Sequence, residues 1–455
     1  MGLATWWIAP PAGISAEGWH LFIIFVLTII TVILKPLPMG AVALLAVAVS
    51  CLTNTLSIQV CLDAYGQPVV WLVVFAFFIA RGLSITGLGA RIAYFFVSVF
   101  GRNVIGLSYG FAATDLLLAP AIPSNTARGA GIIFPIIKSL SEEFEGKSEL
   151  ETNHRKLGAF LIKVGFQANI ITSSMFLTAL AGNPLVTAIA LSREIDLSWG
   201  QWALAALAPG LVCFFLMPLL TYLIFPPKTR EIKDAHRIAK ERLREMGPMS
   251  THQKIMWWVF VGLLLLWVLG DFFGIHATTA ALLGIGILLL SGVLTWEDIL
   301  KERAAWGTFI WFGALLMLAG QLEKTGLMDW FGLQISSAIS DYNWGVAFVI
   351  TSLVYFYAHY FFASTTALIT TIYAVFLQIM LITGVPPFVG AMTLAGFGCL
   401  SSCLTHYGTG SAPVYFGANY VTMKDWWTIG AILSIFYIII WFTIGLLWWK
   451  LLGFY

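Results

Sequence analysis

Uninterrupted apolar runs occupy residues 19–35, 39–54, 69–89, 202–225, 255–270, 277–294, 305–322 and 426–450. A helix needs about 20 apolar residues to cross a bilayer, so these runs predict membrane-spanning helices. Four further stretches are apolar but interrupted. Residues 104–138 are broken by Pro120, Pro123 and Ser124-Asn125-Thr126, and 158–191 by Thr172-Ser173-Ser174 and Gly182-Asn183-Pro184. Residues 343–381 are broken by Ser364-Thr365-Thr366, and 387–418 by Ser401-Ser402, His406, Gly408-Thr409-Gly410 and Pro413. Non-helical backbone survives at membrane depth only where protein or a water-filled cavity satisfies its polar groups.

Composition narrows the class. Of 455 residues, 59% are hydrophobic and 10% charged, against roughly 25% charged in soluble domains. With 19 Trp, 34 Phe, 42 Gly and a mean hydropathy of +0.89, the solvent is a bilayer. A secreted or cytosolic enzyme, a nucleic-acid binder and a disordered scaffold are excluded. Met1 to Ala16 has no basic start, so no cleaved signal peptide is expected. The five cysteines lie mostly in apolar segments. Cys399 and Cys403 share a helical face and His406 is near, but no second histidine completes a metal site. They read as helix-packing residues.

The charges are few but placed. One long hydrophilic segment, about 227–254, carries eight basic residues against Glu231, Asp234, Glu241 and Glu245. Its basic residues are Lys228, Arg230, Lys233, Arg237, Lys240, Arg242, Arg244 and Lys254. The positive-inside rule makes it cytoplasmic, and its central position makes it a linker between halves.

The halves match. FAFFIARGLSITGL at 75–88 aligns with ALLMLAGQLEKTGL at 314–327, pairing Thr86-Gly87-Leu88 with Thr325-Gly326-Leu327 at an offset of 239. Ser124-Asn125-Thr126-Ala127 pairs with Ser364-Thr365-Thr366-Ala367 at 240, Gly165-Phe166 with Gly396-Phe397 at 231, and Pro184 with Pro413 at 229. If 104–138 is a hairpin entering from the cytoplasm and 343–381 one entering from outside, the halves are inverted. That topology places 20 of the 24 Lys and Arg on cytoplasmic connections or helix ends. Arg193, Lys324 and Lys450 fall outside, Arg128 lies within a hairpin, and Arg81 is near a helix interior.

The expected architecture is an all-α polytopic membrane protein, an inverted-repeat transporter with two re-entrant hairpins and two unwound transmembrane helices. Residues 1–226 form the first repeat, with scaffold helices about 19–89, hairpin about 104–138, broken helix about 158–191 and helix about 202–225. Residues 227–254 are the cytoplasmic basic linker. Residues 255–455 form the second repeat, with scaffold helices about 255–325, hairpin about 343–381, broken helix about 387–418 and helix about 426–450. In this topology 19–35 runs from outside to inside, and Thr5–Pro11 reads as the end of a preceding helix. A first transmembrane helix is therefore expected upstream of the start.

Paired discontinuous helices point to a transport site near the midplane. A half-helix that begins inside the membrane aims unpaired N–H groups and a positive dipole end at one point. Ser, Thr and Asn side chains add neutral donors. Two such tips suit a molecule with two carboxylates, and no catalytic base accompanies them. Plainer readings stand beside these. Ser124 and Ser364 also read as N-caps, Thr172, Ser173 and Ser174 as hydroxyls bonded to their own helix, and Gly408 and Gly410 as sites of close helix approach. Arg128 either pairs with Asp115 or supplies charge to a bound anion. His406 is either a packing histidine or a ligand.

These residues carry a family likeness. Pro123-Ser124-Asn125-Thr126-Ala127-Arg128, Asn183-Pro184 and the run from Thr405 to Gly417 resemble the divalent anion:sodium symporter family. The match is to its citrate/succinate, tartrate/succinate and 2-oxoglutarate/malate translocator branch, over essentially the whole chain. The resemblance implies a homodimer with a fixed scaffold and a mobile transport domain, working as an elevator. It implies substrate contacts from Ser124, Asn125, Thr126, Ser364, Thr365, Thr366, Thr172, Ser173, Asn183, Thr409, Ser411 and Pro413. In sodium-coupled members the tip Asn and loop carbonyls also ligate sodium, which would place a sodium near Ser124 and Asn125.

Thr365 departs from the Asn of sodium-coupled members, and Arg128 and His406 are candidate fixed charges that replace sodium. The expectation is a carrier of di- or tricarboxylates (succinate, malate, 2-oxoglutarate, citrate or tartrate), acting as an antiporter in a bacterial inner membrane, with no enzymatic activity and no nucleic-acid partner. Sodium is the single cofactor considered. The alternatives are a sodium-coupled symporter, an inorganic-anion or arsenite-type carrier, a channel and, in another class, an intramembrane enzyme.

Overall fold

Away from water, a backbone must satisfy its own N–H and C=O groups, and helices do so within one segment. The computed structural model describes residues 6–455 apart from 12, 35, 146–156, 228–234, 326, 328, 329 and 331–342. Thr5, Gly326 and the linker residues Lys228, Arg230, Glu231, Lys233 and Asp234 lie outside the described residues. Every regular element among the described residues is helical, and nine helices are long and apolar enough to cross a membrane.

The first part of the chain runs α1 (Ala16–Leu34), α2 (Met39–Leu52), α3 (Ile58–Asp63), α4 (Pro68–Thr86) and α5 (Leu88–Phe100). Then come α6 (Val104–Leu118), a break, a π-helical stretch at Thr126–Ile133 and α7 (Phe134–Glu145). α8 (Leu157–Met175) and α9 (Asn183–Ser192) form a broken helix, followed by the long α10 (Trp199–Ile224). The amphipathic α11 (Ala235–Glu245) lies within the basic segment and packs Ala235, Ile238 and Ala239 toward α5.

The second part has a similar order of elements among its described residues. It runs α12 (Thr251–Phe273), α13 (Ala277–Leu290), α14 (Trp296–Lys301) and α15 (Arg303–Lys324). α16 (Trp344–Tyr357), a break and α17 (Thr365–Ile382) follow. The broken helix is α18 (Pro387–Leu400) with α19 (Ala412–Gly417), and the last long span is α20 (Met423–Ile440) continued by α21 (Leu446–Leu451). Some element lengths agree between the two parts: α2 and α13 have 14 residues each, α3 and α14 six each. Even the caps recur, with Ser57 accepting from the Val60 amide and Thr295 from the Asp298 amide. The apolar runs 39–54 and 277–294 thus give helices of about 21 Å at 1.5 Å per residue, shorter than the runs themselves.

The two broken helices are the centre of the molecule. All 19 residues of α8 are buried, as are 12 of the 14 in α18. α8 packs against α6, α7, α10 and α18. Small residues set these distances. A Cβ on Gly396 of α18 would lie 2.2 Å from the Trp441 ring, and one on its repeat partner Gly165 would lie 2.6 Å from Ile137. Polar ties fix the periphery: Gln253 donates to the Thr86 carbonyl at 2.8 Å, and Arg81 pairs with Asp298 at 3.6 Å.

Overpacking a filled interior costs about 1–3 kcal/mol, and the Trp441 ring is wholly buried. Gly396→Val is expected to lower the thermal unfolding midpoint of the purified protein, and Gly396→Val with Trp441→Leu to recover part of the loss. A thermal-shift comparison of the three proteins measures this.

Candidate functional site

The first break is built by sequence-local chemistry. Pro120 and Pro123 end α6, since proline lacks the N–H that a continuing helix requires. The Ser124 hydroxyl then accepts from the Ala127 amide at 3.1 Å, and the Ser124 carbonyl from the Arg128 amide at 3.0 Å. The second break is built the same way. Ser364 has an extended backbone, its hydroxyl accepts from the Ala367 amide at 3.4 Å, and its carbonyl accepts from the Leu368 amide at 3.0 Å. Both serines therefore act as N-caps, each starting a helix inside the protein with its first amides unpaired by the helix itself.

The unwound segments 176–182 and 404–411 meet these tips. Asn125 donates to the Thr409 hydroxyl at 2.6 Å across 284 residues of sequence. A Cβ on Gly410 would come within 2.3 Å of the Thr126 hydroxyl, so any larger residue there must displace that side chain. Ser411 donates to the Asn169 side chain at 3.3 Å. Thr365 donates to the Gly408 carbonyl at 3.3 Å, and Thr366 lies against Gly182. Each tip thus touches the broken helix of the opposite half. Ser124, Thr126, Ser364 and Thr366 stay partly exposed around this junction, whereas Asn125, Thr365, Thr409 and Ser411 are buried.

Beneath the first tip lies a closed polar cluster. Arg128 and Asp115 are wholly buried, with Nε to Oδ2 at 3.0 Å. The remaining guanidinium donors reach the carbonyls of Ile122 (2.9 Å), Ala179 (3.0 Å) and Asn169 (3.4 Å) and the hydroxyls of Thr172 (3.3 Å) and Ser173 (2.9 Å). Asp115 also accepts from Asn169 at 3.1 Å and from Thr172. Arg128 therefore holds α6, the first tip, α8 and the unwound 176–182 together. The structure contains the Asp115 pairing that the sequence offered as one of two roles. Under the second tip the corresponding positions, at the same offset of 240, are Tyr355 and Leu368. There the fastener is His359, buried, with Nε2 at 2.8 Å from the Gly408 carbonyl and Nδ1 at 3.0 Å from the Ser401 hydroxyl.

Other sequence-predicted residues lie apart from the junction. Asn183 bridges the break in its own helix, donating to the carbonyls of Ser173 (2.9 Å) and Phe176 (3.0 Å) and accepting from Cys399 at 3.2 Å. Pro413 is exposed on α19. His406 turns outward into aromatic company, accepting from Trp427 Nε1 at 3.2 Å and stacking near Phe416 and Tyr407. Sequence reasoning passed over Asn169 and His359 as site residues. Asn169 was signalled by spacing, since it precedes Thr172 and Ser173 by one helical turn on one face. His359 had only its position five residues before Ser364.

A monovalent cation wants several oxygens converging on one point. The convergent set here, three carbonyls and two hydroxyls beside Asp115, already surrounds a guanidinium. Ser124 and Asn125 engage Ala127 and Thr409, and Gly408 faces His359 and Thr365. Among the described residues no group of three or more His, Cys, Asp or Glu is placed to hold a metal ion. A cavity of about 860 Å³ opens between α9 and α17 on one side and α4, α12 and α15 on the other, reaching Leu177 and Thr370.

Comparison with known proteins gives this geometry its context. YflS of Bacillus subtilis is 52% identical over 454 residues, spanning 100% of this chain and 95% of that one. Chloroplastic dicarboxylate transporter 1 of Spinacia oleracea is 45% identical, spanning 99% and 80%. Inner membrane protein YbhI of Escherichia coli is 36% identical, spanning 97% and 94%. Among solved structures, MtrF of Neisseria gonorrhoeae superposes with a TM-score of 0.59 at 14% identity, covering 98% of this chain and 96% of its own. The YdaH transporter of Alcanivorax borkumensis gives 0.57 at 13%, covering 87% and 88%. These two share the fold. The family model of the sodium:sulfate symporter transmembrane region matches residues 1–455, and the chain belongs to that family, as its tip and loop motifs implied.

Proposed function

We propose that this protein is a secondary active transporter that exchanges di- or tricarboxylates, holding them between the tips at Ser124–Thr126 and Ser364–Thr366. The observation that carries the reading is the crossed junction. Two helix starts, two unwound segments and the partly exposed hydroxyls of Ser124, Thr126, Ser364 and Thr366 come together there, which supplies neutral donors and two helix N-termini. That combination suits carboxylates and offers no organised nucleophile or base, which favours transport over an enzyme. The names of the relatives agree: those in spinach and Arabidopsis are dicarboxylate transporters, and the name of YflS proposes malate.

Exchange is favoured over sodium symport by the polar cluster. Arg128, already paired with Asp115, fills the convergent oxygen set beneath the first tip and leaves no room there for a coupling cation. His359 ties the second unwound segment to Ser401 through hydrogen bonds, and His406 turns to Trp427. The inverted repeat, the re-entrant hairpins and an elevator motion of a homodimer in a bacterial inner membrane belong to the same reading. The repeated element lengths support the first two. The 860 Å³ cavity supports the motion, because it divides the tip-bearing side of the molecule from α4, α12 and α15.

Proteoliposomes test the proposal. Labelled malate or succinate is expected to enter vesicles preloaded with dicarboxylate equally in sodium or choline medium, and hardly to enter empty ones. Strong sodium-driven uptake into empty vesicles points instead to the symporter. Removing one partner of a buried ion pair costs about 3–5 kcal/mol. Arg128→Ala is therefore expected to lower stability by that order, and to restore part of its lost exchange when sodium is added, because the oxygen cage is left vacant. Asp115→Asn with Arg128→Leu is expected to be more stable than Arg128→Ala and to show no sodium rescue. Thermal shift and counterflow on the same preparations separate the two effects.

A further inference from the structure

Two thiols far from the site lie in contact. Cys51 is on the last turn of α2 and Cys61 is within α3, and their Sγ atoms are 3.5 Å apart. Neither is placed by a mobile side chain alone. α2 ends in a tight turn, with Asn54 at φ 53° and the Leu56 amide donating to the Ser50 carbonyl at 3.1 Å. Just after α3, Tyr65 donates to the Ile310 carbonyl of α15 at 3.1 Å, and its ring lies where a Cβ on Gly313 would come within 2.5 Å. The two sulfurs are thus held opposed by two anchored elements. Cys213, Cys399 and Cys403 are buried elsewhere, the last two directed at Asn183 and Ser173 and at the Gly430 carbonyl.

We propose that Cys51 and Cys61 form a dithiol/disulfide couple, closed by an external disulfide oxidant and stapling α2 to α3. The chemistry follows from exposure. Cys51 is half-buried and Cys61 buried, so the Cys51 thiolate meets the oxidant. It attacks one sulfur of the oxidant's disulfide, forms a mixed disulfide and expels one thiolate. Cys61 then loses its proton and attacks the Cys51 sulfur, expelling the second thiolate. Two thiols are oxidised by two electrons and one disulfide is reduced to two thiols. Burial, reinforced by Cys51, pushes the Cys61 thiol up to about 12. The topology read from the basic residues places the pair opposite the basic linker, where disulfides persist in an oxidising medium. Asp63, Ala64 and Gln67, just beyond the ring, line the 860 Å³ cavity, so the bridge stiffens one wall of it. The proposal rests on side-chain geometry and is independent of what is transported.

The test is a thiol count on the purified protein in nanodiscs, treated with reductant or with oxidised glutathione, then denatured and alkylated. Of five cysteines, all are expected to be alkylated after reduction and two fewer after oxidation. The peptides containing Cys51 and Cys61 are expected to be linked and about 2 Da lighter than the two free thiols. Cys51→Ser and Cys61→Ser are each expected to abolish the linked species. A full count after oxidant, or a lasting glutathione adduct on Cys51, overturns the proposal. If either variant fails to fold, the wild-type count and the linked peptide decide.

Discussion

The Asp115–Arg128 pair is the constraint on which the rest of the site depends. Taking both charges out of water is costly, and only a complete set of partners makes it tolerable. Here the partners come from four places in the chain: α6, the first tip, α8 and the unwound residue Ala179. Satisfying the pair therefore fixes the position of the tip, and the tip in turn places Asn125 against Thr409. The unwound segment 176–182 gains donors for its stray carbonyls, Arg128 for Ala179 and Asn183 for Phe176, which is how non-helical backbone is kept inside the protein.

The second half solves the same problem without an ion pair. Tyr355 and Leu368 stand where Asp115 and Arg128 stand in the first, and the tether moves to His359, which grips Gly408 and Ser401. The two tips differ in backbone, a π-helical stretch after the first and an α-helix after the second, and in electrostatics. One is locked by charge and six partners, the other by a single imidazole between a carbonyl and a hydroxyl.

The helices and the four breaks were legible in the sequence because each leaves a local mark: an apolar run or a polar interruption such as Ser-Asn-Thr. The capping role of Ser124 and Ser364 was legible for the same reason. What was not legible was who meets whom. Asn125 and Thr409 are 284 residues apart, and nothing at either position names the other. His406 drew attention because it sits in a polar interruption, yet it turns to Trp427. His359 sits in an apolar helix with no spacing partner, and only the folded chain brings Gly408 to it. The short lengths of α2 and α13 were hidden because apolar residues continue past the point where each helix turns.

Those short helices reach beyond the protein. At about 21 Å, α2 and α13 fall short of the roughly 30 Å hydrocarbon core, and both present exposed leucines, among them Leu44, Leu45, Leu283 and Leu290. A short apolar surface is met by bilayer thinning, by snorkelling of flanking side chains or by association of copies, and each response makes the acyl-chain length of the host membrane a term in the protein's mechanical energy.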